Sequence, residues 1–259
     1  MSSTVPLSGG LFAHSSGALW IPSSRTLIVA DFHLGYSWAQ RRRGELGPLA
    51  DERAKQKLLA ACTELDPTEI VFLGDLVHAP RPCRPEREWI EQTLTGLSER
   101  MRLTTVQGNH DRAFSREFGH LPVRQVNAWE RDHLIAVHGD RFDFAIPEHR
   151  LLLIGHLHPS LTVKDAAGAS QKLPLFLVSS ACIVLPAFSP FARGYDVSRG
   201  LRSPIVELFR NETVHAVAVS GKRALPLGPL DRALDRIDEA DLSAPAQFRG
   251  FRRRRIPGR

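Results

Sequence analysis

The sequence predicts an α/β fold of two β-sheets packed face to face with helices on the outside. Three observations carry this reading. Short apolar runs alternate with helix-period segments through the first half of the chain, which implies parallel strands joined by helical crossovers. The second half holds mainly strand-like runs, and these need a second sheet. Polar, metal-competent residues follow a buried strand five times, at Asp31, Asp75, Asn109, His138 and His156. Ligand crevices of open α/β sheets lie beyond the carboxyl ends of the strands, so these positions should converge on one rim.

The elements follow in order. Residues 26–30 (TLIVA) read as a buried strand running straight into Asp31. Residues 50–65 predict a helix, with Leu58, Leu59, Cys62 and Leu65 at spacings of three and four. Residues 70–73 (IVFL) are a second buried strand, feeding Gly74 and Asp75. Residues 86–101 place Trp89, Ile90, Leu94, Leu97 and Met101 on a helical stripe, and residues 103–106 lead into Gly108-Asn109-His110-Asp111. Residues 134–137, 151–154, 175–178 and 214–219 are strand-like, and a weak helix over residues 230–241 precedes an arginine-rich end. No internal repeat is visible. The expected organisation is a domain over residues 1–225 and an extension over residues 226–259 ending in a disordered basic tail.

Composition narrows the class. At 259 residues and 42% hydrophobic, the chain can bury a sizeable core, which excludes wholesale disorder. The formal charge of +6 has an address: six of the 34 basic residues lie in the last eleven, and without them basic and acidic residues balance at 28 each. The pI of about 9.7 therefore says nothing about what the body binds. Cys62, Cys83 and Cys182 are odd in number and lack C-x-x-C spacing, which argues against a disulfide framework or zinc knuckle and for a reducing cytosol. The N-terminus lacks a secretory pattern, and the most apolar segment, residues 175–192, is broken by serines and prolines. A soluble cytoplasmic protein without membrane contact is expected.

The chemistry is concentrated in Asp31-Phe32-His33, Gly74-Asp75, Gly108-Asn109-His110-Asp111, His138-Gly139 and Gly155-His156-Leu157-His158. Each alone is ordinary, and a histidine bonded to backbone is the commoner fate. Their shared position at strand ends is what carries weight. Asp31/His33 and His156/His158 are i, i+2 pairs, which in an extended segment point to the same side. Two carboxylates, one amide oxygen and four imidazoles are too many donors for one tetrahedral zinc and suit two ions sharing a bridge. Mixed oxygen and nitrogen ligation suits Mn²⁺ best, with Fe or Zn²⁺ as alternatives. Two such ions roughly 3.5 to 4 Å apart clamp an in-line displacement at phosphorus. With only Asp31 and Asp75 as anionic ligands, the site stays cationic and attracts phosphate.

Together these motifs resemble the calcineurin-like metallophosphoesterase superfamily, whose D-x-H, G-D-x-x-D, G-N-H-D/E, H-x and G-H-x-H signature appears in order over residues 31–158. The resemblance implies a four-layer αββα sandwich of two mixed sheets flanked by helices, with two metals at its rim. One metal would be held by Asp31, His33, Asp75 and His158, the other by Asp75, Asn109, His138 and His156. It also implies that His110 stabilises or protonates the leaving oxygen while Asp111 orients it. The sequence departs from the pattern at Gly74-Asp75-Leu76-Val77-His78, where His78 replaces the second acid. That acid normally stands behind the ligands, so the metal assignment does not depend on it.

Only seventeen residues separate His138 from His156, leaving little room for a cap domain. GHLHP, the later Pro186-Ala187-Phe188-Ser189-Pro190 run and the arginines after DFHLGY are similar to the ligase-associated DNA damage-response endonuclease group over roughly residues 10–200. This implies a phosphodiesterase acting on nucleic acid, with a DNA ligase and a helicase-type nuclease in the same pathway. Candidate phosphate contacts are Arg41, Arg42, Arg43 and Arg112, with Arg81, Arg84 and Arg116 nearby; the alternative is that Arg41 to Arg43 solvate a surface turn. Trp38, Trp89 and Trp129 are candidate base-stacking residues, although tryptophan is more often core. Two other functions stay open: a hydrolase of a small phosphodiester or pyrophosphate-linked metabolite, and a catalytically silent scaffold. The second is disfavoured because His110 and every ligand are present.

Overall fold

In the computed structural model, which describes residues 3–44, 50–141, 149–164, 169–192, 194–201, 209 and 212–243, seven strands form a first sheet in chain order. They are β1 (Thr4–Pro6), β2 (Phe12–His14), β3 (Leu19–Ile21), β4 (Thr26–Ala30), β5 (Glu69–Leu73), β6 (Arg102–Val106) and β7 (Val123–Val126). The first four meander antiparallel, and β4 through β7 run parallel. The parallel half is crossed by α1 (Tyr36–Arg42), α2 (Ala50–Leu65), α3 (Arg84–Ser98) and α4 (Phe114–Phe118).

The second sheet is mixed and nine-stranded. It contains β8 (Trp129–Arg131), β9 (Leu134–Val137), β10 (Leu151–Ile154), β11 (Pro159–Lys164), β12 (Ser170–Val178), β13 (Cys182–Val184), β14 (Tyr195–Asp196), β15 (His215–Ser220) and β16 (Arg223–Pro229). Its main order is β14-β11-β12-β13-β10-β9-β8, with β15 on β12 and β16 on β15. α5 (Leu230–Ser243) follows.

Strand side chains alternate between faces, and the burial of these strands on both faces shows where the layers lie. Leu27 and Val29 of β4 join Ile70, Phe72, Leu58, Ile90 and Leu94 in a core between the first sheet and its helices. Ile28 and Ala30 turn the other way and meet Val71, Leu73, Leu151, Leu153, Phe176 and Ile183 between the sheets. Leu152, Ile154, Leu175, Leu177 and Val184 face outward from the second sheet, where Leu230 of α5 packs on them. The chain is therefore an α/β sandwich of two mixed sheets flanked by helices. β16 spans the expected boundary at residues 225/226 and pairs through His215↔Pro229. The arginine tail lies outside the described residues.

Two registers position the site. Ala30 is level with Leu73, and Leu73 with Val106, so the loops holding Asp31, Asp75 and Asn109 leave the first sheet side by side. Val137 is level with Ile154, which does the same for His138 and His156 in the second. α3 runs over Arg84–Ser98 instead of residues 86–101, because the Cys83 N–H donates to Glu86 Oε2 at 3.1 Å and a proline stands in the first turn. Among the described residues no helix is long and apolar enough to cross a membrane.

Candidate metal centre

The loops after β4 and β5 stay zipped beyond the strands: Asp31 N–H donates to Gly74 O at 3.2 Å and His33 N–H to Asp75 O at 2.9 Å, and Leu34 bridges to Val77. Here the backbone leaves the extended conformation. Asp31 (φ 54°), His33 (φ 52°), Asp75 (φ 50°), His156 (φ 62°) and His158 (φ 47°) are all left-handed. The i, i+2 pairs therefore share a direction through paired left-handed residues and not through extended geometry, which corrects the expected reason for their convergence. Such conformations cost on the order of 1–3 kcal/mol each and gather where surrounding structure imposes them. Gly108 is needed for close approach, since a Cβ there would lie 2.4 Å from both Asp75 N and Asp75 Oδ1.

Three sets of donors result among the described residues: His33, His78 and His110 form one, and the other two fall on the ligands expected from the sequence. Asp31, His33 and His158 have ligand atoms within 4.8 Å of one another, as do Asp75, His138 and His156. Asp75 faces both sets: its Oδ1 is 3.5 Å from His138 Nε2, and its Oδ2 is 3.9 Å from His33 Nε2. Asn109 Oδ1 is 3.2 Å from His138 Nε2, and His156 Nδ1 is at the same distance from that nitrogen. Residues spread over both sheets are thus gathered at one rim.

The donors fit divalent cations. Asp31 Oδ1 and His158 Nε2 are buried and face each other at 3.0 Å, yet neither makes an aligned hydrogen bond. A cation between them would satisfy both. His138 Nδ1 is 3.1 Å from Leu73 O, and a carbonyl only accepts, so the ring proton belongs on Nδ1. Its Nε2 lone pair is then turned toward the other donors, the usual arrangement for a metal-binding imidazole.

The electrostatics of the cage follow from burial and from the charges its own residues set against one another. Burial pushes the Asp31 carboxyl up, but His158, with His138 and His33, outweighs it and holds the group below its ordinary value. Asp75 is held well below the carboxylate range, its burial overcome chiefly by the His138 hydrogen bond. Burial holds His33 down to about 4. For His138, burial is overcome by the Asp75 hydrogen bond and the Asp31 charge, which lift it to about 9. A ligating imidazole must be neutral, so cation uptake at neutral pH should release a proton from His138. Affinity is expected to rise with pH and level off above about 9. Calorimetry in buffers of differing ionisation enthalpy will show this as a buffer-dependent heat, and equal heats would exclude it.

His110 and Asp111 lie against this cage. The His110 N–H donates to Asp75 Oδ1 at 2.9 Å, and its Nδ1 lies 2.7 Å from His78 O, so Nδ1 carries a proton and Nε2 points inward, 3.9 Å from Asp75 Oδ2. Buried Asp111 accepts from the amides of Leu76, Val77 and Gly108, tying the second loop to the third. Burial, then the Asp75 charge, raises its carboxyl to about 6. His78 is half-buried with its ring stacked on that of His110.

The arginines divide. Arg41 stacks over Trp38, 5.2 Å from the ring centre. Arg42 donates to Arg81 O at 3.1 Å and lies 3.5 Å from buried Glu86. Arg43 is exposed at the end of α1, and Arg112 is exposed beside Asp111. Burial, then the charges of His110 and Arg43, hold His78 down to about 4. Trp129 is buried between the sheets, which removes it as a stacking surface, and the half-buried Trp89 packs on the helical side with Lys55 over its ring, 5.7 Å from its centre. Two half-buried rings not singled out from the sequence lie in this region: Tyr36, 5.0 Å from the His78 ring, and Phe191 beside Tyr36.

A family model described as calcineurin-like phosphoesterase matches residues 24–175. Comparison with curated proteins gives no match. Among solved structures, the chain is similar to the nuclease MPE of Pseudomonas putida, with a TM-score of 0.66 and 22% identity over 86% of this chain and 98% of that one. It is also similar to YfcE, a phosphoesterase from E. coli, with a TM-score of 0.40 and 14% identity over 76% and 88% of the two chains.

Proposed function

The chain belongs to the calcineurin-like phosphoesterase family and is a hydrolase, and from that premise we propose that it cleaves phosphodiester bonds of nucleic acid, DNA foremost, using two divalent cations, Mn²⁺ first among them. The carrying observation is the pair of donor sets that Asp75 faces from between. The nucleic-acid part is supported by the arginines of α1 beside the rim and by the likeness to a nuclease.

In this reading Asp31, His33, Asp75 and His158 would hold one cation, and Asp75, Asn109, His138 and His156 the other. When bound, the pair supplies the Lewis acidity that polarises a phosphoryl group and acidifies water. The chain does the rest. Asp75 sets the spacing of the two sets, and Leu73 O fixes the His138 ring. His110, anchored through Nδ1, presents Nε2 as the proton donor to the departing oxygen. Asp111 acts through the backbone: it holds the His110 loop against the Asp75 loop through three amides.

The test is metal analysis of the purified protein with a substrate panel of bis(p-nitrophenyl) phosphate, single- and double-stranded DNA, and a nucleoside pyrophosphate. Mn²⁺-stimulated cleavage of the aryl diester and of DNA, abolished by chelator, is expected, with DNA cleavage weakening steeply with salt. Full activity in chelator refutes the two-cation reading. Turnover of the pyrophosphate alone would transfer the assignment to a small substrate.

A further inference from the structure

Four rings form a continuous path from the metal centre to the surface. His110 stacks on His78 with centroids 5.4 Å apart and planes inclined by 24°. The edge of His78 meets Tyr36 at 5.0 Å, and Tyr36 lies nearly parallel to Phe191, at 6.3 Å and 14°. Tyr36 and Phe191 are both half-buried, so each keeps surface free. Nothing in the hydrolytic chemistry uses them.

Both rings are rigidly mounted. Tyr36 opens α1, whose first amides are capped from a distance: Asp51 accepts from the N–H groups of Gly35, Tyr36 and Ser37, each at 3.0 Å. Ser37 Oγ returns the favour by accepting from the Ala50 and Asp51 amides that open α2. Phe191 follows a segment fixed to the first ligand loop, since Phe188 N–H donates to Ala30 O at 2.8 Å and Ser189 N–H to Asp31 O at 3.2 Å. Rings held this way lose little freedom when a planar group settles on them.

We propose that Tyr36 and Phe191 form a nucleobase-stacking platform that seats the nucleotide on the leaving side of the scissile phosphate, and that the favoured substrate is single-stranded. The proposal rests on the nuclease reading above. His110, the group placed at the leaving oxygen, is separated from Tyr36 by the single ring of His78, with centroid steps of 5.4 and 5.0 Å. Arg43 is exposed at the C-terminal cap of α1, the helix that Tyr36 opens, and suits the phosphate backbone that such a base carries. A cationic track beside aromatic faces is how single strands are held without sequence preference. A base inside a duplex has both faces already covered, so it could use this platform only after unstacking.

The experiment compares cleavage of a single-stranded thymidine oligonucleotide with one in which abasic sugars replace the nucleotides, and with the thymidine strand in a duplex. Stacking contributes about 1–3 kcal/mol per base, which is roughly a 5- to 150-fold preference for the thymidine strand over the abasic one. In the wild-type protein kcat/KM should show that preference, and the duplex should be cut more slowly. Tyr36→Ala and Phe191→Ala should each shrink the ratio and together bring it to about one, whereas Tyr36→Phe should retain it. A variant that merely loosened the site would slow both oligonucleotides and leave the ratio standing, which would overturn the platform. So would a wild-type ratio near one, a measurement that needs no variant. Hydrolysis of the aryl diester without cleavage of any oligonucleotide would overturn the nuclease reading, and the platform with it.

Discussion

Asp75→Asn is expected to abolish phosphodiester hydrolysis and leave the protein folded. Asp75 faces both donor sets, with Oδ1 toward His138 and Oδ2 toward His33. Asparagine is the informative replacement, because residue 75 sits at φ 50°, a conformation that asparagine tolerates and alanine adopts at a cost. The amide keeps the size and the acceptor for the His110 N–H. It removes the anion and turns N–H donors toward imidazoles that must stay unprotonated. Lewis acidity supplies several kcal/mol of transition-state stabilisation, and at 1.36 kcal/mol per tenfold its loss is about 10³-fold or more. Stability should change little: the His138 ion pair is lost, but so is the repulsion that helps raise Asp111. Elemental analysis should find less than the wild-type metal content, and calorimetry a transition close to wild type. Full metal content with wild-type turnover would remove Asp75 as the shared ligand.

What the sequence made legible follows from how each element is buried. β4, β5, β9 and β10 are covered on both faces, so they read as nearly continuous apolar runs, and both sheets could be anticipated from them. β1, β2 and β3 have three residues each, too few to show a period, and they were not anticipated. α1 was missed for another reason. Its seven residues, YSWAQRR, carry no apolar stripe, and its N-terminus is capped by Asp51, fourteen to sixteen residues away in the chain.

The site separates in the same way. Its donors were visible because strand ends place them, and strand ends are local features of sequence. Their geometry was not, since nothing in Asp-x-His distinguishes an extended pair from two left-handed residues zipped to a neighbouring loop. The rim was the least legible part. Phe191 comes near Tyr36 only because the segment after β13 folds back onto the end of β4, a contact between residues 155 positions apart. Tryptophan is the larger stacking surface, but Trp129 is buried between the sheets and Trp89 is partly covered on the helical side.

His110→Ala should reduce kcat by about 10²- to 10⁴-fold, the range of a positioned general acid, without lowering metal content. The backbone N–H of residue 110 holds Asp75 Oδ1, and alanine keeps it, so the cage should persist. The proton on the wild-type ring is the decisive feature. Nδ1 must donate to His78 O, so a proton passed to substrate can come only from Nε2 of the imidazolium form. A leaving oxygen that is already a stable anion needs little of that proton, whereas the sugar oxygen of DNA needs it fully. The loss should therefore be small with bis(p-nitrophenyl) phosphate and large with a dinucleotide. Equal losses on both substrates would mean that His110 stabilises charge without giving up a proton. Loss of metal along with activity would instead place it among the ligands, in the set it forms with His33 and His78.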